Sequence, residues 1–365
     1  MRNFVLKYSF LFIFFFISFS ANAQEEYSSF EKVNSYYQNT TPQFTVDYVS
    51  RLEDTFGIKG RPAAMERLNA LFRDVYDSFS LHNERSVEEA LDFFSTVDSL
   101  FTEHKMRNTE GRFLNEKLSE DFKGIACFHR SLVFNTLGKV YPFQIHPVLA
   151  SHDHIFVRYE SPCIDTAINW ETTTGKSFDD IHYIKKNNLN PQAIDNGCYL
   201  RSLSDLEALG IVFRYMGAKI QEESNNISRA LPHFRKAYKL DSTTLLNHYS
   251  LVKAHTLNHT FDSSKIYIEK ALKLDSTNAR TWYLYGTSFE EKEEMEKAAL
   301  YYDTALKYDP YYNRSLFRRG LIALRQEDMD KFYELLELLK EDGTANLFYI
   351  YNLERKLDKR EENLE

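Results

Sequence analysis

The sequence predicts a mostly α-helical protein that contains one domain of mixed α and β structure. Apolar residues recur at spacings of three and four along most of the chain, which is typical of amphipathic helices. One stretch, residues 106–200, instead has runs of β-branched and aromatic residues that favour strands. Towards the C-terminus a short motif returns at a step of 34 residues, which indicates a helical repeat.

The composition supports this fold class and excludes several functions. Of 365 residues 43% are hydrophobic, whereas glycine (12) and proline (8) are scarce, which favours helices over a turn-rich β-sandwich. Charged residues make up 27%, which excludes a multi-pass membrane protein. The formal net charge of −8 excludes a basic protein that coats nucleic acid. Three cysteines cannot form a disulfide framework.

The first 23 residues have the pattern of a secretory signal peptide. Arg2 and Lys7 give a positive start, residues 10–19 are apolar apart from one serine, and Ala21-Asn22-Ala23 supplies a small-x-small cleavage pattern. The run is short for a membrane span, which needs about 20 apolar residues, although an uncleaved anchor is the alternative. We therefore expect an exported bacterial protein, periplasmic or extracellular, with no stable membrane anchor after cleavage.

Residues 24–105 are predicted to form a polar tether followed by a helical lead-in. The tether, to about residue 46, contains Tyr-Ser-Ser and Asn-Thr-Thr clusters. Two groups of apolar residues with helical spacing follow, and Ser86 with Glu89 resembles a capping box that opens the second helix. The two groups are Ala64, Leu68, Leu71, Phe72 and Val75, and Ala90, Phe93, Phe94, Val97 and Phe101.

Residues 106–200 are predicted to form an α+β domain. A short helical segment runs from about Cys127 to Leu137. Three runs with strand character follow it, which are Val140 to Ile145, Ile155 to Tyr159 and Ile164 to Thr173.

Three residues of this domain are of the types that thiol chemistry needs. Cys127 stands at the start of the helical segment, His154 opens a strand, and Glu171 lies in a later strand. A thiol nucleophile needs a lowered pKa, which a helix N-terminus can provide, a histidine base, and an acid or amide that orients the base. Asn169 is the alternative orienting group, since positions two apart on a strand share a face. The structural alternative is an inert core cysteine, a strand histidine and a strand-end carboxylate.

Two other uses of the cysteines and histidines stay open. His146, His152 and His154 cluster near Cys163, which suggests a metal site, but no paired cysteine motif at zinc spacing is present. We therefore predict neither a metal nor a cofactor. The alternative is a disulfide between Cys163 and Cys198 in an oxidising compartment, which would leave the thiol of Cys127 free.

A 34-residue internal repeat occupies the chain after residue 203. The motif Leu240-Asp241-Ser242 recurs as Leu274-Asp275-Ser276 and as Tyr308-Asp309-Pro310. A helical period of this length is the signature of tetratricopeptide repeats, whose helix pairs bury their apolar faces by stacking. The sequence predicts a C-terminal tetratricopeptide α-solenoid over residues 203–344 and a closing helix and polar tail over 345–365. Its units are about 211–244, 245–278, 279–312 and 313–344.

One position of the repeats predicts a peptide-binding groove. The fifth position of each first helix is expected to face the concave surface, and here it is aromatic, with cations nearby. Rigid aromatic faces beside cations, on an acidic chain, suit an extended acidic peptide. The alternative is that the rings pack between repeats as core. The aromatic row is Tyr215, Tyr249, Tyr283 and Phe317, and the cations are Lys219, Lys253, Arg314 and Arg318.

Five short segments that begin between residues 109 and 200 occur in a specific order. They are Gly111-Arg-Phe-Leu-Asn-Glu before Gly124-Ile, then Asp153-His-Ile-Phe-Val-Arg, Trp170-Glu-Thr-Thr and Tyr199-Leu-Arg-Ser-Leu-Ser. In this order they resemble the bacterial transglutaminase-like domain, a member of the papain-like fold, in the branch often fused to tetratricopeptide repeats. The resemblance implies that Cys127 is the nucleophile, His154 the base, and Glu171, in place of the usual aspartate, the orienting acid.

Two functions therefore follow from the sequence. The first is an exported enzyme for thiol-dependent acyl transfer, or for hydrolysis of an amide or peptide, with repeats that bind a protein or peptide. The second is an inactive transglutaminase-like and tetratricopeptide scaffold for protein–protein interaction. No phosphate loop, nucleotide fingerprint or basic tract indicates a nucleotide or nucleic-acid partner.

Overall fold

The computed structural model describes residues 45–362, except for 80–85, 109–111, 120–123, 142, 152–153, 161–166, 225 and 342–346. The predicted signal peptide and most of the predicted tether lie outside these ranges. The described residues are mostly helical and include a four-stranded sheet, as the sequence predicts. Within them, no helix combines the length and the apolar character that a membrane crossing requires.

The described residues of the lead-in form three helices, α1 (Val46–Thr55), α2 (Arg61–Ser78) and α3 (Val87–Glu103). The Oγ atom of Ser86 accepts a hydrogen bond from the backbone N–H of Glu89 (3.1 Å), so Ser86 caps α3 as its sequence pattern predicts. The predicted apolar stripe of α3 is buried, and so is that of α2 except for Phe72, which is half-buried.

The mixed region contains a helix, α5 (Cys127–Val140), that packs on the sheet. Leu132, Val133 and Phe134 of this helix are fully buried. The sheet is antiparallel, with its strands in chain order. The remaining elements are β1 (Arg107–Asn108), parallel to β2 (Gly124–Ile125), α4 (Leu114–Ser119), the sheet strands β3 (Ile145–Leu149), β4 (Ile155–Tyr159), β5 (Ile168–Glu171) and β6 (Lys176–Ser177), and α6 (Asp180–Asn187) and α7 (Pro191–Asp195).

The first predicted strand, Val140 to Ile145, is wrong. Helix α5 continues to Val140, and β3 begins only at Ile145. A short apolar run has no decisive period, and here its first residue ends the helix while its last begins the strand. Pro147 lies inside β3, which is tolerated because β3 is the edge strand of the sheet.

The edge of β3 that does not pair with β4 is hydrogen-bonded to the segment that leads into the repeats. The backbone N–H of Leu200 donates to the Leu149 carbonyl oxygen (2.9 Å), and that of Leu203 donates to the Pro147 oxygen (2.8 Å). The sheet and the repeats are therefore joined by main-chain hydrogen bonds.

The repeat region consists of four helix pairs and a closing helix. The first pair begins at residue 205, six residues before the predicted first unit. The pairs are α8 (Asp205–Ser224) with α9 (Ile227–Leu240), α10 (Leu245–Leu257) with α11 (Phe261–Leu274), α12 (Ala279–Glu290) with α13 (Met295–Tyr308), and α14 (Asn313–Arg325) with α15 (Met329–Glu341), followed by α16 (Leu347–Glu362).

The recurring aspartates stabilise the turn that ends each of the first three pairs. The Oδ1 atom of Asp241 accepts the N–H of Thr243 (3.0 Å), and Asp275 and Asp309 accept the N–H two residues ahead in the same way (3.1 Å each). Such a side-chain turn is a local interaction, so it needs an aspartate at the same place in every unit. This requirement is a physical reason for the 34-residue period.

Candidate active site

Cys127 is the first residue of α5 and is half-buried. The residue before it, Ala126, makes no side-chain cap, and the first turn of α5 contains no acidic residue. The leading N–H groups of the helix and the positive end of its dipole are therefore available to an anion at the sulfur.

His154 and Glu171 are brought together by the pairing of β4 with β5. Val157 lies opposite Trp170, so the continued register places Phe156 opposite Glu171. His154 is two residues from Phe156 and projects from the same face. Its Nε2 atom contacts Oε2 of Glu171 in a hydrogen-bonded ion pair. The remaining ring nitrogen is Nδ1, and Cys127 is near enough to the imidazole to act on its pKa.

The Glu171 carboxylate is held in one orientation by the turn that follows β5. The backbone N–H and the hydroxyl of Thr173 both donate to Oε1, at 3.1 and 2.6 Å. Tyr183, whose ring stacks on Phe156 with centroids 4.3 Å apart, places its hydroxyl 3.5 Å from Oε2. Both carboxylate oxygens of Glu171 therefore accept hydrogen bonds, and these restrict rotation of the carboxylate.

The electrostatics of the three side chains favour an imidazolium. Burial lowers the pKa of His154, but hydrogen bonds and Coulombic attraction from Cys127 and Glu171 outweigh it and raise the pKa to about 9. Burial raises the pKa of Glu171, yet the ion pair with His154 and the hydrogen bonds from Thr173 bring it below its usual value. The arrangement can therefore place a positive charge beside the sulfur at neutral pH.

Asn169, the alternative orienting group, contacts other residues. Its Oδ1 accepts from Arg158 Nε (2.7 Å), and its Nδ2 donates to Asp180 Oδ1 (2.7 Å). Asn169 projects from the same face of β5 as Glu171. It lies opposite Arg158 of β4, which is two residues further from His154 than Phe156, the residue opposite Glu171. The structure thus pairs the imidazole with Glu171 and not with Asn169.

A buried ion pair from the lead-in fixes the two elements that carry the site. Arg130, one turn after Cys127, donates to Asp98 of α3 (3.3 Å) and to the carbonyl oxygen of Thr172 (2.6 Å). Asp98 also accepts the indole N–H of Trp170, the neighbour of Glu171. Asp98 and Arg130 therefore set the separation between α5 and the end of β5.

Sequence reasoning missed Asp98, Arg130 and Thr173. The signal for the first two was a charge on an otherwise apolar helix face, since Asp98 lies between Phe94 and Phe101 and is mostly buried. A buried charge needs a partner, so an acidic and a basic residue on apolar helix faces are candidates for one ion pair.

The structure describes only some of the cysteines and histidines that were considered for a disulfide or a metal site. Cys198 has a free thiol that is 2% exposed, and burial raises its pKa to about 12. Cys163 and His152 lie outside the described residues, and the free thiol of Cys198 gives no support to the alternative of a disulfide between Cys198 and Cys163. Within the described part of the chain, no three histidine, cysteine, aspartate or glutamate side chains form a group that could hold a metal ion.

The predicted aromatic row of the repeats does not share one environment. Tyr215 is half-buried, and its ring packs edge-on to Phe128, the neighbour of Cys127, with centroids 5.9 Å apart. Tyr283 is half-buried as well, whereas Tyr249 is only 4% exposed. The expectation of a groove lined throughout by this row therefore fails at Tyr249.

The cause is the start of α12, which covers Tyr249. The Tyr249 hydroxyl hydrogen-bonds to Asn278 Oδ1 and to Thr281 Oγ1, at 2.9 Å each. Asn278 is the N-cap of α12, so this tyrosine joins two repeats from the inside.

The predicted groove cations also differ from one another. Lys219 pairs with Glu223 (2.6 Å), and Arg318 pairs with Glu290 (3.1 Å). Lys253 and Arg314 are exposed.

The sequence profile of the tetratricopeptide repeat matches residues 279–312, which confirms the predicted repeat at its third unit. This match supports a role in protein–protein interaction. No curated protein sequence matches the chain.

Three solved structures show a weak similarity to this chain, each with a TM-score below 0.5. MamA from Desulfovibrio magneticus RS-1 is 19% identical, with a TM-score of 0.32, and the match covers 38% of this chain and 86% of MamA. YrrB, a tetratricopeptide protein with an unusual peptide-binding site, is 20% identical, with a TM-score of 0.30 and coverage of 42% and 78%. Menin, with its binding site for the Mixed Lineage Leukemia protein, is 12% identical, with a TM-score of 0.43 and coverage of 88% and 79%.

The burial of Tyr249 predicts a core phenotype. We expect Tyr249→Ala to destabilise the protein by about 3–5 kcal/mol, as other large aromatic truncations in cores do, and to lower the melting temperature followed by circular dichroism. Tyr249→Phe removes only the hydroxyl hydrogen bonds and should cost about 1 kcal/mol. If Tyr249→Ala melts at the same temperature as the wild type, Tyr249 does not stabilise the core, and the prediction that it lines the groove stands.

The environment of Asp98 predicts a pH-dependent stability. Burial raises its pKa from 3.8 to about 7, although Trp170 and Arg130 act in the opposite direction. The folded state then binds this proton more tightly than the unfolded state, so the contribution of Asp98 to the free energy of unfolding falls as pH rises from about 4 to 7. We expect Asp98→Asn to lack this fall, which should exceed about 1 kcal/mol.

Urea denaturation at pH 4.5 and 7.5 measures the difference. Asp92→Asn, on the exposed face of the same helix, is the matched control and should keep the wild-type dependence. An identical pH dependence in the wild type and in Asp98→Asn would contradict the raised pKa.

Proposed function

We propose that this protein catalyses thiol-dependent acyl transfer or amide hydrolysis. The observation that carries the proposal is the hydrogen-bonded ion pair of His154 with Glu171, with Cys127 near enough to act on the pKa of the imidazole and placed at an uncapped helix N-terminus. These are the parts that an activated thiol nucleophile requires. The resemblance of residues 109–200 to the transglutaminase-like domain gives the same three residues the same roles.

The proposed reaction begins when the Cys127 thiolate attacks the carbonyl carbon of an amide. The carbonyl π electrons move to oxygen, and the leading N–H groups of α5 lie at the end of the helix where such an oxyanion is stabilised. The His154 imidazolium then gives its proton to the leaving nitrogen as the C–N bond breaks, which leaves a thioester on Cys127 and a neutral imidazole. Water or a second amine then attacks the thioester carbonyl carbon while His154 takes a proton from it. The C–S bond breaks, which releases the acid or the new amide and restores the Cys127 thiolate beside the imidazolium.

A second candidate function is protein binding by the repeats without catalysis. The tetratricopeptide match at residues 279–312 supports it equally. In this alternative the transglutaminase-like region only supports the repeat surface, and the thiol has ordinary reactivity. A measurement of thiol reactivity therefore separates the two candidates.

We expect Cys127 to react with iodoacetamide at pH 6 at least about tenfold faster than a simple alkyl thiol, because an adjacent imidazolium stabilises the thiolate. His154→Ala should abolish this excess, and Glu171→Gln should reduce it by releasing the imidazole. Mass spectrometry of the alkylated peptides assigns the modified residue, and buried Cys198 is the internal control that stays unmodified in the folded chain.

Equal alkylation rates of Cys127 in the wild type and in His154→Ala would contradict the catalytic proposal and favour the scaffold. Asn169→Ala tests the orienting assignment. Because Asn169 contacts Arg158 and Asp180, we expect this variant to keep more of the excess reactivity than Glu171→Gln.

A further inference from the structure

The second helices of the four repeat units, α9, α11, α13 and α15, share a solvent-exposed surface. In a stack of helix pairs the second helices lie side by side, and here the Tyr238 ring of α9 packs edge-on to the Tyr267 ring of α11, with centroids 5.2 Å apart. Residues at intervals of three and four lie on one side of a helix. The outer face of the repeats is formed by residues 228, 232, 235 and 239 of α9, 262, 266, 269 and 273 of α11, 296, 300, 303 and 307 of α13, and 330, 334, 337 and 341 of α15. All of these are exposed except Pro232 and Asp303, which are half-buried.

The charge of the outer face changes sign from the first unit to the fourth. At its four positions α9 carries two cations, Arg235 and Lys239, beside a serine and a proline. At the corresponding positions α15 carries only acidic residues, which are Asp330, Glu334, Glu337 and Glu341. One end of the outer face is therefore basic and the other end is acidic.

The two central helices carry exposed aliphatic side chains at corresponding positions. Ile266 of α11 is 51% exposed, and Leu300 of α13 is 60% exposed. Each lies between an acidic residue in the first turn of its helix and a lysine in the last turn. These are Asp262 and Lys273 in α11, and Glu296 and Lys307 in α13. The end charges also complement the helix dipoles, but that role does not require an isoleucine and a leucine in solvent. Exposed apolar side chains in a row mark a contact surface.

Some charges of the outer face are already paired within the chain. The pairs are Glu269 with Lys265 (3.7 Å), Asp303 with Arg319 (3.1 Å), Glu334 with Lys331 (2.9 Å) and Glu337 with Lys340 (3.6 Å). Three of these pairs join neighbours on one helix and are exposed. Such pairs contribute little to stability, so they do not prevent these carboxylates from meeting a cation of another molecule.

A two-fold axis perpendicular to the outer face, between α11 and α13, makes this face complementary to itself. The axis places α9 of one copy on α15 of the second copy, and α11 on α13, with the helix directions reversed. The basic end then faces the acidic end, and each first-turn acid of the central helices faces a last-turn lysine. Ile266 and Leu300 lie about 2 Å along the helix from the midpoint of their four positions, so they meet near the centre.

We propose that the outer face is the interface of a homodimer with this two-fold symmetry. Two chains of formal charge −8 repel one another at long range. Salt screens this repulsion beyond about 8 Å at physiological ionic strength, so the local complementary rows determine the contact. Because the interface has few apolar side chains, the dimer is a weak one with a dissociation constant on the order of 10 μM. The inference does not depend on the thiol chemistry.

Sedimentation velocity of the full chain between about 1 and 100 μM tests the interface, and we expect a reversible monomer–dimer equilibrium. Arg235→Glu/Lys239→Glu makes both ends of the outer face acidic, and Asp330→Lys/Glu334→Lys makes both ends basic. Each variant alone should dimerise at least about tenfold more weakly than the wild type, because like charges then face each other. An equimolar mixture of the two variants should form a mixed dimer at least as tightly as the wild type, since every α9 again faces an α15 of opposite charge. A fluorescent label on one variant distinguishes the mixed dimer.

The matched control reverses two positive charges away from the outer face. Lys185→Glu/Lys186→Glu changes exposed lysines of α6 by the same total charge and should stay within about twofold of the wild type. If a charge-reversed variant fails to fold, Leu300→Asn decides, with an expected loss of at least about threefold. A wild type that stays monomeric at about 100 μM, a dimer that neither variant weakens, or two variants that do not combine would overturn the proposal.

Discussion

The buried pair of Arg130 and Asp98 is the interaction on which the candidate site depends. A charge in a protein interior is costly unless it is paired and hydrogen-bonded, and loss of one partner leaves the other uncompensated. Here the pair is shared by three elements, since Arg130 belongs to the thiol helix, Asp98 to the lead-in, and the bound Thr172 carbonyl to the end of β5. The lead-in is therefore part of the framework that holds Cys127 and Glu171 at a fixed separation.

A second set of polar contacts joins the mixed region to the repeats. The turn aspartates of the first two pairs are also partners of that region, because Arg201 donates to Asp241 (2.7 Å) and Asn190 donates to Asp275 (3.1 Å). Asp309 keeps its turn bond, and its neighbour Tyr311 is exposed. The aspartate thus stabilises the turn in each of these three units. In the first two units it also accepts a hydrogen bond from a residue of the mixed region.

Features that depend on local chemistry were visible in the sequence. The aspartate period, the Ser86 cap and the chemical types of Cys127, His154 and Glu171 all follow from residues near one another or from their order. Features set by long-range packing were not visible. The burial of Tyr249 depends on the first turn of the next helix pair, so its own repeat position could not show it.

The central claim is that His154 is an imidazolium at neutral pH because Cys127 and Glu171 raise its pKa, and the titration of the His154 ring tests it most directly. Nitrogen-15 NMR of the histidine rings, with His154 assigned by comparison with His154→Gln, gives its apparent pKa, which belongs to the coupled group. The account predicts a value near 9 in the wild type and a lower value in Cys127→Ala. A value at or below the ordinary 6.5, unchanged by Cys127→Ala, would contradict it.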